Sequence, residues 1–471
     1  MSWIDLQRTA PPRGQNSLQE ASNYKWLVLL AVGIGTFMSA LDGSVVNTIL
    51  PVVRNTFHSP VATIEWVVTI YLLVVSGLML TFGRLGDLRG NRPVYLSGFF
   101  IFVIGSALCG MAPTAGWLVA FRGLQALGGA MLFSNAPAIL TKSFPAAQRG
   151  QALGMQATMT YLGLTVGPSL GGWLTHSLSW RAVFYINAPV GILAVLLSWI
   201  FIPGEHEPRA DRFDFAGALL FLGGLVSLLV ALNKGQDWGW GSPVILGFMA
   251  IAVTLLVIFI WVERRVQAPM LDLSLFGSPV FSSATVSAVF NYVALYTVLF
   301  LLPFYLLQGR GLNPEQAGLI LTAQPIVMAV AAPLSGTLSD RIGSRIPAML
   351  GMLILAGGMI LLSRSGRQTP LEAVAAGLAV CGLGTGIFVS PNNSALMGAA
   401  PRQRQGIASG ILATARNVGM VLGIGLSGAI LTTFLAHNAD QGLFQATQVG
   451  FIVAAGVALA ASIASATRGK G

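Results

Sequence analysis

Fourteen apolar runs, each of a length to cross a bilayer, follow one another through this chain of 471 residues. They cover about 26–50, 64–82, 94–111, 116–140, 153–174, 180–202, 213–232, 243–262, 280–307, 315–337, 347–362, 370–396, 406–435 and 443–466. A helix rises about 1.5 Å per residue, so roughly 20 residues match a hydrocarbon core of about 30 Å. In lipid every backbone polar group needs an internal partner, and runs of this length satisfy that as helices. The expected fold class is therefore all-α and integral to the membrane. Composition agrees: 54% of residues are hydrophobic and only 9% charged, against about 25% charged in a soluble domain.

The net charge of +10 would suggest nucleic acid in a soluble protein. Here the cations stand in short loops beside the spans, where they set orientation instead. Eighteen of the 26 Lys and Arg fall on the side of the amino terminus, six on the other, and Arg122 and Arg416 within spans. That excess places both termini in the cytoplasm of a multi-pass plasma-membrane protein, with the lipid bilayer and no nucleic acid as partner. Residues 1–25 read as a polar cytoplasmic tail rather than a cleaved signal. Cys109 and Cys381 fall in apolar segments as packing residues. The four lysines (25, 142, 234 and 470) are all read as loop or tail residues.

An internal repeat organises the spans. Gly83-Arg-Leu-Gly-Asp87-Leu-Arg89-Gly90-Asn-Arg92 follows the second, and Gly336-Thr-Leu-Ser-Asp340-Arg341-Ile-Gly343-Ser-Arg345 follows the tenth. Both match G-x-L-x-D-x-x-G-x-R, eight spans apart. Two six-helix halves would give an offset of six, so two helices are inserted between them. The expected division is a tail at 1–25, an N-terminal six-helix bundle at 26–202 and a cytoplasmic linker at 203–212. Two inserted helices at 213–262 and a C-terminal six-helix bundle at 280–466 complete it. Parallel repeats about a midplane cavity are a transporter architecture. Gly90 and Gly343 are expected to make the tight turns of the two loops.

Asp42 stands about 12 Å inside the first span, counted from its far end, and Arg122 about 9 Å inside the fourth from the same face. An acid in a poorly hydrated site gains proton affinity from desolvation and loses it to a nearby cation, so conformations that change either can load and release a proton. Asp42 and Arg122 are thus the candidate proton-coupling pair, with a static pair or a carbonyl-bonded anchor as the alternatives. Arg416, about 16 Å into the thirteenth span, could attract an anionic substrate, pair with Asp42, or bond carbonyls. Gly163, Gly167 and Gly171 recur every four residues and form one smooth stripe for close helix contact. Pro168 interrupts the ladder beside it. No G-x-x-x-x-G-K-[ST] loop occurs, so an ion gradient rather than a nucleotide is the expected energy source, with no cofactor. Gly423-Ile-Gly425-Leu-Ser-Gly428 fits G-x-G-x-x-G, but lies mid-span with no preceding strand and reads as helix packing.

These strings resemble the major facilitator superfamily, and specifically its fourteen-span drug:proton antiporters of the EmrB/QacA type. The resemblance covers about residues 26–466. The loop at 83–92 is similar to the superfamily's signature loop, with Leu88 where an Arg is common. Leu41-Asp42-Gly-Ser-Val-Val-Asn47 through Pro51 resembles the first-helix motif, and Phe121-Arg122-Gly123 through Gly129 the fourth-helix motif whose Arg is implicated in coupling. Gly163 through Gly172 resembles the antiporter motif, and Trp180 through Gly191 a string of the fourteen-span branch.

The resemblance implies a major facilitator fold and, rather than an enzyme, a proton-driven antiporter of the bacterial inner membrane that exports small amphipathic compounds. A lipid or metabolite transporter on the same scaffold is the alternative, and a periplasmic adaptor is an open question. Conformational roles are implied for Gly83, Asp87, Arg92, Gly163, Gly167, Pro168, Gly171, Asp340, Arg341 and Arg345, with Asp87 and Arg92, and Asp340 and Arg345, pairing at helix ends. The family's cavity helices point to Asn135, Gln156, Asn291, Tyr292, Tyr296, Gln324, Asn392, Asn393 and Arg416 as substrate-binding residues. Fourteen-span peptide importers carry an E-x-x-E-R string that is absent here, and redox proton pumps need intramembrane Lys and Glu chains.

Overall fold

A computed structural model describes residues 23–59, 61–204, 213–266, 269, 271–312, 314–437 and 441–468. The expected tail at 1–25 and linker at 203–212 lie largely outside them. Among the described residues there is no strand. The N-terminal half comprises α1 (Tyr24–Phe57), α2 (Val61–Arg89), α3 (Asn91–Met111), α4 (Ala115–Ser143), α5 (Arg149–Ser177) and α6 (Asn187–Phe201), the last preceded by a helical turn at Ala182–Tyr185. Next come α7 (Phe215–Trp238) and α8 (Pro243–Glu263). The C-terminal half comprises α9 (Pro279–Phe304), α10 (Pro314–Leu321 continued as Ala323–Ile342), α11 (Arg345–Ser363), α12 (Leu371–Ala399), α13 (Gln405–His437) and α14 (Gly442–Ala466).

Local chemistry sets several of these starts. Asp214, Ser242 and Ser278 accept hydrogen bonds from the backbone N–H groups of Gly217, Ile245 and Phe281 at the starts of α7, α8 and α9. Pro243 and Pro279 occupy the first helical position, where no N–H is needed. Gly90 (φ +94°) and Gly343 (φ +85°) each turn the chain between two helices in a backbone region that side chains rarely adopt. They are the tight turns that the sequence predicts.

Thirteen of the described helices are long and apolar enough to cross a membrane. The fourteenth, α5, has 29 residues, but its four threonines and six glycines make it less apolar. It packs along α1 and α10, with Leu162, Leu164, Val166 and Trp173 exposed on its other face. Lipid-facing apolar side chains ring the outside, with α8 among the most exposed helices.

The two halves repeat the same packing. Helix α1 lies on α5, α3 on α4 and α2 on α4. Eight helices later α9 lies on α13, α11 on α12 and α10 on α12. The halves meet where α5 packs on α10 and α2 on α13, two contacts exchanged by the same relation. Helices α7 and α8 pack on each other, and α7 leans on α2 and α13. Lys234 corrects the loop placement read from the sequence. Helix α7 runs past it to Trp238, and its ammonium is buried against Glu65 of α2 at 2.8 Å.

Candidate functional site

The glycine stripe of α5 sets the position of the α1 turn that carries Asp42. A Cβ added at Gly163 would lie 2.6 Å from the Phe37 carbonyl oxygen. At Gly167 it would lie 2.6 Å from the Ser44 Cβ, and at Gly171 2.9 Å from a Val45 methyl. The absence of side chains at these three positions lets α5 seat directly on the backbone around Asp42.

Asp42 and Arg122 meet as their shared depth predicts. Arg122 Nη1 donates to Asp42 Oδ2 at 2.7 Å, and both side chains are almost wholly buried. Gln125 and Asn187 donate to Asp42 Oδ1 at 2.9 and 2.8 Å. Arg122 also donates to the Gln125 amide oxygen at 2.7 Å and to the Val67 carbonyl at 3.3 Å. The Tyr71 ring lies 4.2 Å from the guanidinium carbon. Ser106 ties Asn187 into the network at 2.9 Å while donating to the Phe184 carbonyl. Three donors are therefore aimed at the two oxygens of this acid, the surroundings that a buried charge requires. Leu41, Val45, Val46, Val67, Leu118 and Phe184 belong to the apolar cluster that closes over it.

Gln125, Asn187, Ser106 and Tyr71 are additions to the sequence reading. The signal for Gln125 was its place one turn from Arg122, and Asn187 stood inside a string already singled out. Cys109 is a free buried thiol beside the Gln125 amide oxygen, which matches a packing role.

A second constellation locks the face rich in Lys and Arg. Asp87, at the end of α2, accepts from the backbone N–H groups of Gly406 and Ile407 at 2.7 and 2.9 Å, in the first turn of α13. Asp340, at the end of α10, accepts from Gly150 and Gln151 at 2.9 and 3.0 Å, in the first turn of α5. Each carboxylate therefore caps a helix of the other half and meets the positive end of its dipole. Beside each cap the backbones cross closely. A Cβ at Gly83 would come 2.2 Å from the Gly406 carbonyl oxygen, and one at Gly336 2.2 Å from that of Gly150. Ser390 donates to the Gly150 carbonyl at 2.6 Å, and Thr158 to that of Ala329 at 2.8 Å.

This geometry corrects the expected pairs. Arg92 donates to the Trp199 carbonyl at 2.6 Å and lies over that ring, within its own half. Arg341 and Arg345 are exposed. The carboxylates accept from backbone N–H groups in place of these arginines.

The expected substrate residues separate into two groups. Asn135 is fully buried and committed: it accepts from Asn91 at 2.7 Å and donates to the Met131 carbonyl at 2.9 Å. Asn392 donates to the Ala284 carbonyl at 3.1 Å and accepts from Arg468. Burial lowers the Arg468 guanidinium to about 10, so it stays charged at neutral pH and holds Asn392. Both asparagines are structural, since their polar atoms are used within one half.

Gln156 reaches Thr36 at 3.5 Å, Asn393 is half-buried, and Gln324 and Asn291 are buried with amide atoms that have no partner. Tyr292 and Tyr296 of α9 are half-buried. Arg416 does not pair with Asp42. Its guanidinium lies over the Phe133 ring of α4 at 5.0 Å.

Comparison with known proteins agrees with this architecture. The chain is 36% identical over 418 residues to the riboflavin transporter RibZ of Clostridioides difficile, covering 88% of this chain and 90% of that one. It is 34% identical over 421 residues to the multidrug resistance protein Stp of Mycobacterium tuberculosis, covering 89% and 78%. The crystal structure of the human organic anion transporter MFSD10 superposes with a TM-score of 0.67 at 17% identity, covering 94% of this chain and 99% of that chain. Two successive matches, at residues 32–284 and 284–468, place this chain in the Major Facilitator Superfamily.

Proposed function

We propose that the chain is a proton-driven antiporter that exports small amphipathic compounds across the bacterial plasma membrane by alternating access. Its basic face, with both termini, is the cytoplasmic one. The observation that carries this reading is the sealed Asp42–Arg122 pair. Protonating Asp42 removes the counter-charge of a buried guanidinium, and leaving such a charge unpaired costs about 3–5 kcal/mol. Protonation therefore cannot leave the N-terminal half as it is, and the rearrangement is the coupling step. The substrate cavity lies between the halves. The two aspartate caps and glycine crossings close it on the cytoplasmic side in this conformation, and opening them requires both caps to break. The proton gradient supplies the energy and no cofactor takes part.

Similarity to a multidrug resistance protein favours export. Similarity to a riboflavin transporter favours a second reading, a metabolite transporter on the same scaffold. Proteoliposomes with an imposed proton gradient separate them. Extrusion of a panel of amphipathic dyes against their gradient, driven by protons moving the other way, is expected for the wild type. Asp42→Asn is expected to lose uphill transport and keep solute counterflow. Uphill transport at the wild-type rate in Asp42→Asn would refute the scheme.

A further inference from the structure

Arg416 is a cation with no counter-charge among the described residues. It stands near the midplane of α13, half-buried, and among the described residues no hydrogen bond or ion pair reaches it. Its neighbour Asn417 donates to Ser76 of α2 at 2.8 Å, which fixes that turn of α13 against the other half. The acids of α9–α14 stand at helix ends, and Asp42 is occupied by Arg122, Gln125 and Asn187.

Around this cation the two halves contribute aromatic rings. Phe133 lies 5.0 Å from the guanidinium, Tyr292 and Tyr296 of α9 pack against Gly419 and Gly423, the next turns of α13, and Tyr161 of α5 lies in the same apolar cluster as these two rings. The Tyr71 hydroxyl has no hydrogen-bond partner although the residue is buried. A half-buried arginine among aromatic rings attracts an anion, and its planar fork suits a bidentate one. Aromatic walls suit a flat ring system.

We propose that Arg416 and the rings of Phe133, Tyr161, Tyr292 and Tyr296 form a binding site for a planar aromatic molecule carrying an anionic group. A lipophilic cation would meet Arg416 with no carboxylate to offset it. This substrate class rests on the transporter reading above, and the site spans both halves, so it changes shape when they rock.

The test is equilibrium binding of two flat dyes of opposite charge, anionic fluorescein and cationic ethidium, to the full-length protein in detergent without any proton gradient. The wild type is expected to bind fluorescein at least about tenfold more tightly than ethidium. Arg416→Gln should weaken fluorescein by about tenfold or more with little effect on ethidium, and Arg416→Lys should restore part of the loss. Tyr292→Ala, which keeps the charge, should weaken fluorescein by a smaller factor and gives an independent reading if Arg416→Gln does not fold. Equal binding of the two dyes, or fluorescein binding unaffected by Arg416→Gln, overturns the proposal. Because no gradient is present, tight fluorescein binding without uphill transport would remove the antiport reading and leave the site. Uphill ethidium transport without fluorescein binding would do the reverse.

Discussion

Asp87 and Asp340 make the same contact in opposite directions: each ends a helix in one half and caps the first turn of a helix in the other. The symmetry means that the closed face is held twice. Capping and dipole interactions are worth about 0.5–2 kcal/mol each, a factor of roughly 2 to 30 in the open–closed equilibrium. Asp87→Asn and Asp340→Asn should each shift the population toward the form open on the basic face, and the double variant should shift it further. A cysteine introduced as Thr158→Cys, beside the Ala329 carbonyl, reports this as faster reaction with a membrane-impermeant maleimide added from the basic side, the native Cys109 and Cys381 being buried. Unchanged labelling in the double variant would remove the caps from the account of closure.

The buried pair predicts a non-additive mutant cycle. Arg122→Ala leaves the Asp42 charge buried with only Gln125 and Asn187, and should lower stability by about 3–5 kcal/mol. Asp42→Asn combined with Arg122→Ala removes the stranded charge, so the double variant should be more stable than Arg122→Ala alone. Thermal unfolding in detergent measures both. A double variant less stable than the Arg122→Ala single would mean that Asp42 is already neutral in the native protein.

Depth along a helix made the central pair legible. Residue counting placed Asp42 and Arg122 at one level, and two opposite charges at one level in hydrocarbon have few other partners. Gln125 and Asn187 gave no such signal, because neutral amides occur in spans for many reasons. The targets of Asp87 and Asp340 were invisible for a different reason. They are backbone N–H groups, which every residue but proline carries. The repeat itself fixed the offset of eight helices. Lys234 was misplaced because the apolar run stops at Leu232 while the helix continues to Trp238. Arg416 was found by depth, but the ring it covers, Phe133, lies on a helix of the other half that sequence spacing does not connect to it.

The inserted helices should depend on packing more than on charge. Glu65 is 47% exposed where it meets Lys234, so their ion pair is worth at most about 1 kcal/mol. Glu65→Gln should leave stability within that figure and transport within about twofold. Leu225 of α7 is 3% exposed in the core that joins α7 to the N-terminal half, and Leu225→Ala should cost about 2–5 kcal/mol. Thermal unfolding ranks the two, and a larger loss for Glu65→Gln would reverse the assignment.

The stripe on α5 carries its own control. Gly167 has the Ser44 side chain 2.6 Å from where its Cβ would stand, and Ser44 donates to the Leu164 carbonyl at 3.0 Å, so little slack exists. Gly172, five residues on, has nothing within 4 Å. Gly167→Val should force α1 away from α5, cost about 1–3 kcal/mol in overpacking, and disturb the turn that aims Asp42 at Arg122. Gly172→Ala adds a methyl to open space and should be neutral, or more stable by up to about 1 kcal/mol from helix propensity. Gradient-driven transport should therefore fall at least about tenfold in Gly167→Val and stay within about twofold in Gly172→Ala. Equal behaviour of the two variants would show that glycine serves helix flexibility generally, because only a contact-specific role distinguishes a filled position from an empty one on the same helix.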